Sequence, residues 1–304
     1  GGGKKGNQLI QTGGSFNSLC GTAVIILTGL LIPEGIKNAQ ISNVFPLMYA
    51  ALAIFAFAFI VLSLTKIPEN KPEVSKDAAS ASKYGPLSFR HFVLGSVAIF
   101  IYVGIEVGIP NVLQKWLQNP ELNVLGSGVN VEAVAGSVAA TYWFLMLVGR
   151  LLGAVIGSKV SARGMLIVVS GVGLLLTLGA IVLSPSVLVN LPVFNGTGGF
   201  GLVNVPINAA LLVFVGLCTS VMWGGIFNLA VEGLGKYTEK AAGIFMALVC
   251  GGGILPLLQN AIVDYTNAGM GYLTSYWVIV ICLIYLLYYA LIGSKNVNKD
   301  IPVD

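Results

Sequence analysis

Eight apolar runs, each long enough to cross a bilayer, constrain this chain more than any other feature. A helix of about 20 residues spans the hydrocarbon core, and the runs lie near residues 9–32, 43–65, 91–115, 134–156, 164–184, 206–230, 240–263 and 273–293. Charged residues make up 9% of the sequence, against about 25% in soluble domains, and the mean hydropathy is +0.88. The pattern predicts an all-α, polytopic membrane protein.

Lysine and arginine are distributed unevenly among the segments that join these runs. Thirteen of the 16 lie in the two tails and in the segments at 66–90, 157–163 and 231–240, whereas residues 185–205 contain none. Cytoplasmic segments of membrane proteins carry the excess of Lys and Arg. We therefore expect both ends of this chain and residues 66–90 in the cytoplasm, and residues 185–205 on the outer side.

The longest polar stretch, residues 66–90, separates two predicted spans from the six that follow. This arrangement is typical of the second part of a transporter built from two six-helix halves, with the substrate site near the midplane between them. We expect residues 1–65 to be the last two helices of the N-terminal bundle, 66–90 a cytoplasmic linker, and 91–304 the C-terminal bundle with a short tail. Eight of twelve helices would be present, in a monomer, and four would precede them.

The sequence carries no convincing signature of an enzyme, a metal site or nucleic-acid binding. The net charge of +4 comes from scattered residues that form no basic patch, and the single His91 provides neither a metal cluster nor a triad. Residues 196–201, GTGGFG, match a dinucleotide-binding pattern by letter, but we expect no strand before them and no helix after them. We expect no cofactor. The cysteines lie inside apolar runs and are expected to be buried free thiols: Cys20, Cys218, Cys250 and Cys282.

Glu106 lies in the middle of an apolar run that reads YVGIEVGIPN, with no cation within a helical turn. Pro110 has no N–H, so the carbonyl of residue 106 loses its helical partner and we expect a kink. An acid at this depth is costly and indicates a functional site by default. We expect Glu106 to be protonated for much of a transport cycle and to hydrogen-bond substrate or a facing helix. A purely structural glutamate is the alternative.

Three further polar side chains fall inside the first and fourth predicted spans. Asn17 shares a small, polar helix face with Gly14; packing can explain the glycine, but an amide in lipid needs a partner or a wet cavity. Trp143 lies deeper than interfacial aromatics, and its ring suits the C–H face and hydroxyls of a sugar. Core packing is the alternative for Trp143. Arg150 lies toward the cytoplasmic end, and we expect it to tie helices or loops together.

The sixth and seventh runs carry another group of polar and helix-weakening residues. Thr219 and Trp223 share one helix face, and Asn228 lies on a neighbouring one. Residues 251–253 are glycines, and together with Pro256 they weaken the helix just before Gln259. Bent helices of this kind build substrate sites in transporters, and the Gln259 amide has the donors and acceptors that sugar hydroxyls need.

Five stretches together resemble the fucose/glucose/galactose permease family of the major facilitator superfamily: SFNSLCGT, YVGIEVGIPN, YWFLMLVGRLLG, MWGGIFNLAVEGLGK and GGGILPLLQ. The resemblance runs over nearly all of the chain. It implies the fifth to twelfth helices of a twelve-helix transporter in a bacterial cytoplasmic (inner) membrane. It also implies uptake of a hexose or deoxyhexose, usually driven by a proton gradient, by alternating access between two half-bundles.

The resemblance also implies which positions have a function. The matching residues are Asn17, Glu106, Tyr142, Trp143 and Gln259. The chain departs from the family at Gly14, where Gln is frequent, and at Thr219 and Gly224, where Asn and Pro are frequent. The family's main proton-coupling acids lie in the first and fourth helices, which we expect upstream of this chain.

The sequence thus predicts a sugar transporter and not an enzyme, with a small sugar, a co-transported proton and the lipid bilayer as partners and no nucleic acid. The candidate substrate-binding residues are Asn17, Glu106, Tyr142, Trp143, Thr219, Trp223, Asn228 and Gln259. The candidate structural or gating residues are Pro110, Arg150, Gly252 and Pro256. A permease for another small polar solute and, less favoured, a membrane-embedded enzyme are the alternatives.

Overall fold

A computed structural model describes most of the chain. It covers residues 12–16, 19, 42, 45–66, 84–126, 128–157, 159–195, 199–266, 268–298 and 300–303. The helices, numbered in chain order, are α1 Phe45–Leu64, α2 Arg90–Gln118, α3 Val131–Ile156, α4 Ala162–Val182, α5 Ile207–Thr219, α6 Met222–Val231, α7 Thr238–Ala247, α8 Gly251–Tyr265, α9 Ala268–Ser275 and α10 Trp277–Tyr288. The predicted all-α, polytopic fold is confirmed.

Seven stretches of the described residues are long and apolar enough to cross a membrane, and they match the last seven predicted runs. Four are single helices, α1 to α4. The other three are composite: α5 with α6, α7 with α8, and α9 with α10. Most of the first predicted run, 9–32, lies outside the described residues, although residues 12–16 are helical.

Short irregular turns interrupt the α-helix within the composite spans. Residues 220–221 separate α5 from α6, and a 3₁₀ turn at Leu248–Cys250 separates α7 from α8. The predicted weakening of the seventh run is therefore found about two turns before Pro256, immediately before the three glycines. Helix α8 continues through Pro256, and α2 continues through Pro110. A proline inside a membrane helix is tolerated because neighbouring helices can satisfy the carbonyl that it frees.

An antiparallel hairpin lies in the segment between α4 and α5, which was expected to be an outer loop. Strand β1, Leu188–Asn195, pairs with β2, Gly199–Pro206, from Leu188↔Pro206 to Asn195↔Gly199. Leu191, Val193 and Val205 are buried on one face of the hairpin. A strand does precede the GTGGFG stretch, contrary to our expectation, but the last three residues of the stretch lie within the second strand and not at a helix N-terminus. The dinucleotide-binding interpretation still fails, because the glycines do not lead into the N-terminus of a helix.

Glycines let α2 and α8 pack with their backbones close together. A Cβ added at Gly251 would overlap the carbonyl oxygen of Phe100, and one added at Gly104 would overlap the Leu255 side chain. Small residues permit this kind of approach between membrane helices, where dispersion replaces the hydrophobic effect as the driving force. The contact fixes the register of α8 along α2. The core of the described residues is built around α2, which also contacts α3, α5, α6 and α10.

The C-terminal residues pack back against the loop that follows α6. The N–H of Lys236 donates to the carbonyl of Val303 at 3.1 Å, and the N–H of Arg90, the first residue of α2, donates to Asn298 Oδ1 at 3.0 Å. Gly233 and Gly235 have positive φ in this loop, at 74° and 48°. His91 is fully buried, and its Nε2 donates to the Glu232 carbonyl at 2.9 Å.

The cysteine expectation is only partly correct. Cys218 and Cys282 are buried free thiols, but Cys250 is exposed. Cys250 belongs to the 3₁₀ turn between α7 and α8, in which none of the three residues is fully buried. Cys20 lies outside the described residues.

Candidate substrate site

Glu106 and Arg150 form an ion pair inside the bundle. Arg150 Nη2 lies 3.2 Å from Glu106 Oε1, and the two side chains are 6% and 12% exposed. The expectation that Glu106 is isolated from cations is therefore wrong. The reason is that sequence neighbours show only one helix, whereas Arg150 reaches Glu106 from α3, 44 residues further along. Charges at this depth require a partner of this kind.

Arg150 also connects two further parts of the chain. Its Nε donates to the carbonyl of Ser220, at the break between α5 and α6, at 3.2 Å. Its Nη1 donates to the carbonyl of Gly14 at 2.6 Å. The planar guanidinium fork can serve several acceptors at once, which a lysine cannot do in the same geometry. The expectation that Arg150 ties helices together agrees with these contacts, although the ties lie inside the bundle.

Two glycines allow these contacts. A Cβ added at Gly149 would overlap the Ser220 hydroxyl, so the glycine lets the end of α5 approach α3. A Cβ at Gly14 would lie 3.4 Å from Arg150 Cδ, so the arginine side chain lies against this glycine. Gly149 thus allows α3 to pack closely against the end of α5. The adjacent Arg150 places its guanidinium group at the same level of α3.

Tyr142 and Thr219 join α3 to α5 and are both fully buried. The Tyr142 hydroxyl lies 3.1 Å from Thr219 Oγ1, which itself donates within α5 to the carbonyls of Val215 and Gly216, at 3.3 and 3.2 Å. Since that hydrogen is used within the helix, Tyr142 is the donor to Thr219. In this conformation the pair holds two helices together, and its predicted contact with substrate stays a prediction.

The two tryptophans occupy different surroundings. Trp143 is partly exposed and packs edge-on against Tyr142, with ring centroids 5.9 Å apart. Trp223 is stacked on Phe227 at 5.5 Å and meets Phe245 edge-on at 6.1 Å. An aromatic cluster therefore accounts for one face of Trp223. Asn228, one residue after Phe227, is partly exposed.

Gln259 is the least satisfied polar side chain among the candidates. It is fully buried, and within the described part of the chain neither its Nε2 nor its Oε1 has a hydrogen-bond partner. A Cβ at Gly108 would overlap Gln259 Oε1, which places the amide directly over that glycine of α2. Leaving a buried amide without partners costs free energy. The Gln259 amide is therefore ready to bind water or a hydroxyl whenever the surrounding helices give one access.

The remaining candidates are distributed as follows. Gly252 lies at the α2–α8 contact, where an added Cβ would be 2.8 Å from Val103 Cγ1, and Pro110 and Pro256 lie inside unbroken helices. Asn17 lies outside the described residues. No three His, Cys, Asp or Glu side chains in the described residues come together as a metal site.

Sequence reasoning missed a group of polar residues that joins α2 to α8. Asn260 lies 2.9 Å from Lys115 Nζ and 3.3 Å from the Asn111 side chain. Asn111 and Lys115 are four residues apart on α2, and Asn260 follows Gln259. Each is a polar residue near the end of an apolar run. The signal in the sequence is therefore three polar residues at similar depths in two predicted spans. It could not be recognised before α2 and α8 were known to be neighbours.

Known proteins similar to this chain are sugar transporters by name. A glucose/galactose transporter of Brucella abortus biovar 1 (strain 9-941) is 30% identical over 290 residues, which are 93% of this chain and 62% of that protein. A protein of Helicobacter pylori (strain ATCC 700392 / 26695), named "Putative glucose/galactose transporter", is 30% identical over 305 residues, which are 97% of this chain and 67% of that protein. The chain belongs to the glucose/galactose transporter family. No family model matches the sequence.

The fold of this family member agrees with solved structures. The E. coli fucose:proton symporter FucP superposes with a TM-score of 0.73 at 17% identity, over 97% of this chain and 71% of FucP. FucP in the outward conformation, a major facilitator superfamily transporter, gives a TM-score of 0.69 over 97% and 70%. This glucose/galactose transporter family member is thus an integral membrane protein with the major facilitator fold. It spans 62% of the length of the Brucella relative.

Proposed function

We propose that the protein is a secondary transporter that takes up a hexose or deoxyhexose by proton symport and alternating access. The bilayer in which it works would be a bacterial cytoplasmic membrane. Membership of the glucose/galactose transporter family supports the class of substrate. The likeness to FucP supports the fold on which alternating access depends.

The observation that carries the proposal is the arrangement around Arg150. This one side chain pairs with Glu106 in the bundle and reaches the Gly14 carbonyl in the first predicted span. Under the domain division that we propose, 1–65, 66–90 and 91–304, the contact joins the two halves of a monomer. Halves that rock against each other must exchange such a hydrogen bond during each cycle.

The substrate contacts belong to the same proposal. Trp143 is partly exposed beside the fully buried Tyr142. The flat indole of Trp143 can therefore stack against the apolar face of a sugar ring. Gln259 holds unused donors and acceptors, and Asn17 would add a second amide from the other half. Glu106 is already engaged by Arg150. We therefore assign it to the coupling of helix movements, with the main proton-coupling acids elsewhere in the complete protein.

Transport in proteoliposomes tests this proposal. The complete protein is reconstituted, and counterflow of labelled galactose, glucose and fucose is measured against empty liposomes. We expect exchange of at least one hexose, and accumulation when an inward proton gradient is imposed but not when an inward sodium gradient is imposed. Hexose exchange without proton-driven accumulation would contradict proton symport, but it would still agree with hexose transport.

A second set of solutes decides between the proposal and its alternative. Amino acids and small organic acids are offered in the same counterflow assay. Exchange of one of these solutes, with none of any hexose, would contradict the sugar specificity and establish a permease for another polar solute.

A further inference from the structure

The polar residues that join α2 to α8 form a hydrogen-bond chain with one direction. Lys115 Nζ can only donate, so the atom of Asn260 at 2.9 Å from it is the carbonyl oxygen. The Asn260 amide nitrogen then donates to Asn111 Oδ1 at 3.3 Å and to the Pro256 carbonyl at 2.7 Å. Asn260 has thereby used both of its N–H groups. Because Lys115 can only donate, it determines the orientation of the Asn260 amide and, through it, that of the Asn111 amide.

Most of the hydrogen-bonding groups that remain unused in this chain are donors. The Asn111 amide nitrogen keeps both hydrogens, because its oxygen accepts from Asn260. Lys115 keeps two of its three N–H donors after the bond to Asn260. Both residues are exposed in the described structure. Together the two residues present four free N–H donors and one acceptor, the remaining lone pair of Asn111 Oδ1, so their surface favours a ligand rich in acceptor oxygens.

The position of this surface links it to the candidate substrate site. Asn111 is five residues beyond Glu106 on α2, about 7.5 Å along a helix axis. Asn260 directly follows Gln259 on α8. The neighbouring side chains of α8 are apolar and exposed, among them Ile254 and Leu257 at 52% and 70%. Asn111 lies one turn inside the predicted run 91–115, where an exposed amide requires a polar partner, and Lys115 lies at the outer end of that run.

We propose that Asn111 and Lys115 form an outer subsite, which binds the hydroxyl and ring oxygens of a hexose before the sugar reaches the residues around Trp143. The inference rests on the proposed function and on the orientation given by the Lys/Arg distribution. A sugar oxygen can accept from the amide and the ammonium at the same time, as the two donors lie one helical turn apart on α2. Asn260 is a positioning residue, since its own hydrogen bonds are used.

Sidedness of transport tests the subsite. Galactose transport by the complete protein is measured in vesicles of both orientations, for wild type, Asn111→Leu, Lys115→Met and Lys115→Arg. We expect the galactose concentration for half-maximal transport to rise at least fivefold from the outer side for Asn111→Leu and Lys115→Met, and to stay within twofold from the inner side. Lys115→Arg keeps the charge and the donors and should stay near wild type. Lys240→Met, at an exposed lysine, is the control for loss of charge.

If these variants fold poorly, protection of a thiol by galactose tests the subsite independently. In a background without native cysteines, Asn111→Cys is labelled by an impermeant thiol reagent from outside, with and without galactose. Galactose should slow the labelling several-fold. Equal effects on both sides of the membrane, or no protection, would overturn the subsite. A wild-type protein that transports no hexose would instead overturn the proposed function.

Discussion

Neutralising Glu106 should destabilise the protein, because Arg150 would remain charged and buried. Glu106→Gln keeps a carbonyl oxygen at the position of the acceptor and removes only the negative charge. At the observed separation of 3.2 Å and an effective dielectric constant of about 20, the lost attraction is about 5 kcal/mol. Removing one partner of a buried pair costs about 3–5 kcal/mol in other proteins. We expect a loss of about 3 kcal/mol, because the retained hydrogen bond offsets part of the change.

A double-mutant cycle isolates this interaction. Glu106→Gln, Arg150→Gln and the double variant are compared by equilibrium unfolding of the complete protein in mixed detergent micelles. The double variant buries no charge at this site, so it should lose less than the sum of the two single variants. We expect a coupling free energy of about 1.5 kcal/mol or more. Glu121→Gln, which neutralises an exposed carboxylate in the loop after α2, should have almost no effect.

Two results would refute this reasoning. Single-variant losses that add to within about 0.5 kcal/mol would show that Glu106 and Arg150 do not interact energetically. An unchanged unfolding midpoint for Glu106→Gln would show that the carboxyl group is already neutral, as the sequence alone suggested. Arg150→Lys separates charge from geometry. It keeps the ion pair but cannot reach three acceptors, so an intermediate loss is expected.

Three further predictions concern topology, substrate and the cytoplasmic end. In a background without native cysteines, Ser186→Cys should react with an impermeant thiol reagent added to whole cells and Glu239→Cys should not; the reverse pattern would contradict the orientation. Trp143→Ala should weaken galactose binding by about 1–3 kcal/mol, by analogy with buried interface aromatics, while Trp143→Phe keeps most of it; unchanged affinity would favour core packing. Gly233→Ala should cost about 1–2 kcal/mol in unfolding experiments because φ is 74° there, whereas Gly243→Ala, with open space around it, should be neutral or stabilising.

The membrane spans could be predicted because each is a local property of the sequence. Twenty apolar residues must satisfy their backbone hydrogen bonds internally, so a helix is required wherever the run occurs. The hairpin at 188–206 was missed although apolar residues alternate in LVNLPVFN and GFGLVNVP. Pro192 weakens the strand signal of the first segment, and the absence of Lys and Arg indicates only on which side of the membrane the segment lies.

The centre of the site could not be predicted, because its contacts join distant parts of the chain. Glu106 and Arg150 are 44 residues apart and Arg150 and Gly14 are 136 apart. The sequence identified Glu106 as unusual for its depth, but depth alone does not say which helices are neighbours. The same limit applies to Gly108, which lies under Gln259 only because α8 packs against α2.

The contacts of α2 on its two sides differ in kind, and this difference predicts where movement occurs. Against α8 the backbone of Gly251 meets that of Phe100 directly and the Leu255 side chain packs onto Gly104, and this close packing resists sliding. On the Arg150 side, a hydrogen bond to Gly14 can exchange for another acceptor at a cost of about 1.5–3 kcal/mol. We expect α2 and α8 to move as one unit while Arg150 changes partners. An added Cβ at Gly252 would lie 2.8 Å from Val103 Cγ1, close enough for cysteines at these two positions to form a disulfide. That disulfide should leave sugar exchange intact under oxidising conditions, and exchange that stops on oxidation and returns on reduction would show that α8 moves against α2.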